Sequence, residues 1–131
     1  MRRKAFVTAA ACMAAIVASF TLVPRLQADE KSDEVIKQVM KDYHKAPKGV
    51  DPVCKKALTG KATPEELKKL VEGYKKLTTV DAPKGDAASW KDKTSKLLAA
   101  AEALEKGDAD GVARYKEAVN CKACHTAHKP D

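Results

Sequence analysis

"TPEELKKLVEGYKKLT", residues 63–78, reads as one amphipathic helix from end to end. Thr63 followed by Glu66 forms a capping box, and Pro64 occupies the first helical position, where its missing N–H costs nothing. Leu67, Leu70, Val71, Tyr74 and Leu77 recur at three- and four-residue intervals and mark one apolar face. The charges fall on the other face. Glu65 with Lys69 and Glu72 with Lys76 are i,i+4 pairs, each worth about 0.2–0.5 kcal/mol in an isolated helix. These lysines therefore read as a solvated face rather than a docking patch.

The same pattern extends in both directions. Upstream, Asp51-Pro52 opens a short helical piece through Leu58, and Gly60 ends it. Before that, a first helix is expected from Asp33 to Lys45, capped by Ser32, with Val35, Ile36, Val39, Met40 and Tyr43 on its buried face. Pro47 and Gly49 stop it. Downstream, "TTVDAPKGD" (78–86) is a loop. A helix beginning near Asp86 or Ser89 then runs to Lys106 with Trp90, Leu97, Leu98, Ala101 and Leu104 on one stripe. "EKGDADG" (105–111) is a turn short enough to favour an antiparallel neighbour. A last helix from Asp110 buries Val112, Tyr115 and Val119 and continues into Cys121. No sustained apolar/polar alternation signals a strand. The expected fold is all-α, an antiparallel four-helix bundle, and such bundles hold cofactors between facing helices.

The N-terminus reads differently. Met1-Arg2-Arg3-Lys4 is a basic head, Ala5 to Val23 is uncharged and mostly apolar, and Leu26-Gln27-Ala28 offers a small-residue cleavage site. That layout is a secretory signal, residues 1–28, with the mature domain at 29–131. An uncleaved anchor is the other option. Cys12 reads as a small residue in the apolar run. Removing the segment takes away Arg2, Arg3, Lys4 and Arg25 and no acid, so the net charge falls from +7 to +3. No basic block with interleaved aromatics remains, which argues against nucleic-acid binding. The mature domain holds only 16 Leu, Ile and Val residues and no Phe. A core this thin either packs tightly on alanine or gains apolar volume from something bound. Three cysteines remain, an odd number and a poor disulfide framework. Cys54 reads as a small buried apolar residue, and the other two belong together.

Those two open the segment "CKACH", residues 121–125. Cys121, Cys124 and His125 fit C-x-x-C-H, the signature of covalent c-type haem attachment. Thiols three residues apart lie nearly one helical turn apart and can form thioethers with the two vinyl groups along one porphyrin edge. The next residue, His125, then offers its imidazole to the iron. Export to a disulfide-permissive compartment agrees with this chemistry. A thioredoxin-like thiol pair would sit beside a βαβ pattern, which is missing. A zinc site would need Cys121, Cys124, His125 and His128 together, four ligands crowded into eight residues.

With the motif at its C-terminus, this exported helical chain resembles the class II c-type cytochromes, the cytochrome c prime group. The resemblance implies a single covalently bound haem c in a four-helix bundle. His128 takes the place where relatives carry an aromatic, and Lys129 stands where arginine is usual. It also implies that the first helix faces the second side of the haem. "IKQVMKDYHK" (36–45) is similar to the methionine-bearing, low-spin version, which makes Met40 the expected distal ligand; Ile36 stands where that group often has arginine. His44, four residues on and on the same face, is the alternative ligand. His128 is expected at the haem edge or the surface.

The expected function is electron transfer by a periplasmic mono-haem cytochrome that exchanges electrons with redox partner proteins and is not an enzyme. The alternatives are a gas-binding or gas-sensing five-coordinate haem protein, or a zinc or redox-thiol protein. The resemblance allows a homodimer through the first two helices. No membrane contact is expected beyond the signal segment.

Overall fold

The computed structural model describes the backbone of residues 23–130 and the side chains of residues 30–130. Most of the expected signal segment, including Cys12, lies outside the described residues. Within them the fold is all-α. The helices are α1 (Val23–Tyr43), α2 (Val53–Leu58), α3 (Pro64–Thr78), α4 (Ala87–Lys106), α5 (Gly111–Ala118) and α6 (Cys121–His128). No described helix is long and apolar enough to cross a membrane.

Helix α3 keeps its sequence-level design. The Thr63 hydroxyl accepts from the Glu66 N–H at 3.2 Å, and Glu66 Oε2 accepts from the Thr63 N–H at 2.9 Å. Glu66 Oε1 also accepts from Lys56 Nζ at 2.6 Å, so one carboxylate caps α3 and ties α2 to it. These bonds, led by the one from Lys56, hold the Glu66 carboxyl below its usual range. Asp86 caps α4 by accepting from the Ser89 N–H at 2.7 Å. At the other end Gly107 takes the left-handed conformation (φ 75°), which a side chain would resist.

Two helix boundaries differ from expectation. Helix α1 begins at Val23, not Asp33, and runs unbroken through the expected cleavage point after Ala28. Nothing between Pro24 and Ser32 interrupts a helix, and Pro24 is tolerated in a first turn. Ser32 is buried inside the helix rather than capping it. The expected last helix is two helices. Helix α5 stops at Ala118, and α6 starts afresh at Cys121 with Asn120 as its cap, the Asn120 side chain accepting from the Ala123 N–H at 3.0 Å. A residue that caps in this way competes with continuation of the preceding helix.

Helices α3, α4 and α5 form the central layer, with α4 packed between the other two. Helix α1 lies on α3, and α2 bridges α3 and α5. The core consists of Val39, Ala57, Leu70, Val71, Tyr74, Leu77, Trp90, Ala100, Ala101 and Tyr115. Alanines on α4 permit close helix approach, so α4 is buried through Ala100, Ala101 and Ala103 while Leu97, Leu98 and Leu104 are only half-buried. Gly73 serves the same end on α3: the Tyr43 ring of α1 occupies the space where a Cβ would stand.

Tyr74 and Tyr115 are fully buried, and their hydroxyls bond each other at 2.6 Å. Trp90 Nε1 donates to the Val80 carbonyl at 2.9 Å. Among the described residues no buried side-chain nitrogen or oxygen is left without a partner. With so few large apolar residues, each one matters. Leu70→Ala, at a fully buried position, is expected to cost about 2–5 kcal/mol, measured as a lower urea midpoint at unchanged slope.

Candidate functional site

Helix α6 is a short platform carrying the three motif residues. Cys121 and His125 are exposed and Cys124 is half-buried against the core. All three described cysteines, Cys54 included, are free thiols. Burial pushes the Cys124 thiol up, an effect opposed by the Lys93 ammonium and reinforced by Cys121. Cys54 is also pushed up, first by burial and then by Cys121, which lies within electrostatic reach. The fold thus brings α2 alongside the start of α6.

The platform is fixed at its far end by His128, contrary to the expectation of an edge or surface residue. His128 is buried. Its Nδ1 lies 2.8 Å from the Lys84 carbonyl, which can only accept, so Nδ1 carries a proton and donates. In the neutral ring, Nε2 then accepts from the Ser89 hydroxyl at 3.2 Å. The ring meets Trp90 edge-on, with centroids 5.4 Å apart. Gly85 completes the seat. It adopts φ 83°, and a Cβ there would collide with the Ala127 carbonyl oxygen. Both ring nitrogens of His128 are therefore occupied, and it is turned away from the motif residues. Among the described residues no three His, Cys, Asp or Glu side chains converge to hold a metal ion. The four-ligand zinc arrangement is not assembled.

On the opposite side stands the end of α1. Met40 is half-buried and packs against the core. His44 follows just beyond the helix, with its N–H donating to the Met40 carbonyl at 3.1 Å. Its Nε2 is hydrogen-bonded to the Tyr74 hydroxyl at 3.1 Å, and the rings are 5.8 Å apart. Tyr74 in turn bonds Tyr115, so a polar thread runs from the end of α1 through α3 to α5, where Tyr115 stands three residues before the last residue of that helix. Burial, with a further contribution from the charge of His125, lowers the His44 pKa to about 4. The fold therefore places the His125 and His44 rings within electrostatic reach. Desolvation also raises both tyrosines, Tyr74 well above its ordinary range.

Electrostatic coupling links Cys54 with Cys121 and His44 with His125, Tyr74 and Tyr115 join His44 to the interior, and Met40 and Cys124 both pack against the core. The tyrosine pair was hidden in the sequence because each tyrosine fitted an apolar stripe. Its signal was chemical: a buried phenol needs a hydrogen-bond partner, and two such rings on facing helices can supply each other. Two clefts among the described residues lie elsewhere. One, about 230 Å³, lies beside Trp90 and Val80; the other, about 520 Å³, runs along Glu34, Lys37 and Lys41. Compared with known proteins, the chain matches no family model, no curated protein and no solved structure.

Two outcomes follow for the chain without a bound group. His128→Ala removes the hydrogen bonds that tie α6 to the Lys84 carbonyl and the Ser89 hydroxyl. Amide hydrogen exchange in α6 is expected to accelerate at least tenfold, with α3 and α4 little changed. Separately, His44 is neutral when folded down to about pH 4, whereas in the unfolded chain it takes up a proton near pH 6.5. Its contribution is present above pH 6.5 and is lost as pH falls toward 4. Urea titrations across that window should show up to about 3 kcal/mol of lost stability, with the loss reduced in His44→Gln.

Proposed function

We propose that this chain is an exported mono-haem c-type cytochrome that transfers electrons. Cys121 and Cys124 would hold the haem c covalently, and His125 would be its proximal axial ligand. The observation that carries the reading is α6 itself. It is a separately capped and clamped helix presenting two free thiols, with an imidazole directly after the second.

The donor set suits the group. Neither motif thiol is spent in a disulfide, and His125 is exposed. For the far side of the iron, Met40 of α1 would be the distal ligand and His44, just beyond that helix, the alternative. A bound haem supplies a one-electron Fe(III)/Fe(II) couple whose potential depends on its axial ligands and surroundings. The chain's own residues do the rest. Asn120 and His128 fix the two ends of α6 and so the positions of the thiols and of His125. While α6 is docked, those two anchors hold the thiols and the imidazole in one arrangement, which suits electron transfer, where the iron's surroundings need not open. Helices α1, α3, α4 and the α5–α6 pair would be the four members of the bundle, with α2 lying in a connection.

The test is expression with and without c-type haem maturation machinery, in a host that exports the protein. Covalent haem is expected by pyridine haemochrome spectrum and by mass, one haem per chain, only when the machinery is present. Cys121→Ala with Cys124→Ala should abolish it. His125→Ala should keep a covalent adduct in lower yield, with a changed visible spectrum. A wild-type chain that leaves the machinery-equipped host with free thiols and no added mass would refute the proposal.

A further inference from the structure

We infer that His44, rather than Met40, is the second axial ligand, so that the iron would be held between two imidazoles. This rests on the haem reading above and narrows it to one residue of α1.

Three observations favour His44. Its position is the first. It stands one residue past the last residue of α1, held there by the bond from its backbone N–H to the Met40 carbonyl at 3.1 Å, and its ring lies within range of the His125 charge. Met40, one turn back, is accounted for by contact with the core. The aim of the ring is the second. Nε2, the nitrogen at the tip, points inward at the Tyr74 hydroxyl rather than outward to solvent.

The third observation is what happens to the interior when Nε2 is given up. A buried hydroxyl that loses its only partner is costly. Tyr74 would not be left in that state, because its hydroxyl remains bonded to Tyr115 at 2.6 Å. The tyrosine pair can therefore release His44 without orphaning a buried polar group. Met40 has no comparable exchange partner among its described contacts; drawing its side chain out of the core would remove apolar contacts.

The test uses the covalently loaded protein: wild type, His44→Ala and Met40→Leu, each first checked for haem by pyridine haemochrome. Ferric wild type is expected to be low-spin, with the electron paramagnetic resonance signature of two imidazoles and without the sulfur-to-iron charge-transfer band of methionine ligation. Met40→Leu should keep that spectrum. His44→Ala should lose the low-spin signal, bind carbon monoxide readily when ferrous, and regain the low-spin spectrum with added imidazole. The opposite pattern, with Met40→Leu becoming high-spin and His44→Ala staying low-spin, would overturn the assignment. So would a sulfur-to-iron band, or a high-spin spectrum, in the wild type. The wild-type spectra decide the matter even if His44→Ala does not accumulate. A wild type with no covalent haem is a different result: it removes the haem reading itself, and this assignment with it.

Discussion

The hydrogen bond between the Tyr74 and Tyr115 hydroxyls is the constraint around which the rest of this protein is arranged. The described residues contain no phenylalanine and must build an interior from what they have, and here two tyrosines supply the largest fully buried side chains. Each brings apolar ring area and an obligation: a buried phenol without a partner costs about 1–3 kcal/mol. Because the two hydroxyls meet, the obligation becomes a specification. Helices α3 and α5 must approach at the height that brings those oxygens to 2.6 Å, with the rings nearly parallel. His44 extends the same condition to the end of α1. Apolar contacts alone would tolerate sliding between these helices; the polar thread does not.

The C-terminal platform follows a second rule, that of a short element held by its ends. Eight residues are too few for a helix to persist by its own hydrogen bonds. Asn120 satisfies a free N–H at the beginning of α6, and the buried His128 fastens the end to the loop before α4. Between those points α6 can devote its exposed side to chemistry rather than to packing. This division of labour explains how the most reactive residues of the chain can be both exposed and well positioned.

Much of this could be read in advance, for identifiable reasons. Helices α3 and α4 announced themselves through local signals: a capping box, a capping aspartate, a C-terminal glycine and a clear apolar stripe. That Cys121, Cys124 and His125 share one helix was equally legible, because their spacing is a local property. What escaped were features decided at a distance. Ser32 looks like a cap, yet the helix continues through it because no breaker directly precedes it, and Ser32 is buried within α1. Asn120 sits in a helical pattern, yet its side chain serves as a cap. His128 gave no sign in its neighbourhood that Ser89 and Lys84, roughly 40 residues earlier, would accept it. That α4 packs against α5 could be inferred from the short turn between them, but the bridging of α3 and α5 by α2 could not.

The His128 clamp also has a bearing on the order of events in the life of the chain. Its two hydrogen bonds close loops of 39 and 44 residues, and α6 otherwise touches the body of the protein sparingly. An element tied down by one long-range contact can detach as a unit while α3, α4 and α5 stay packed. The thiols would then swing out on the hinge at Asn120 and return without the domain unfolding. The buried imidazole is the latch between the docked and the detached arrangement of α6.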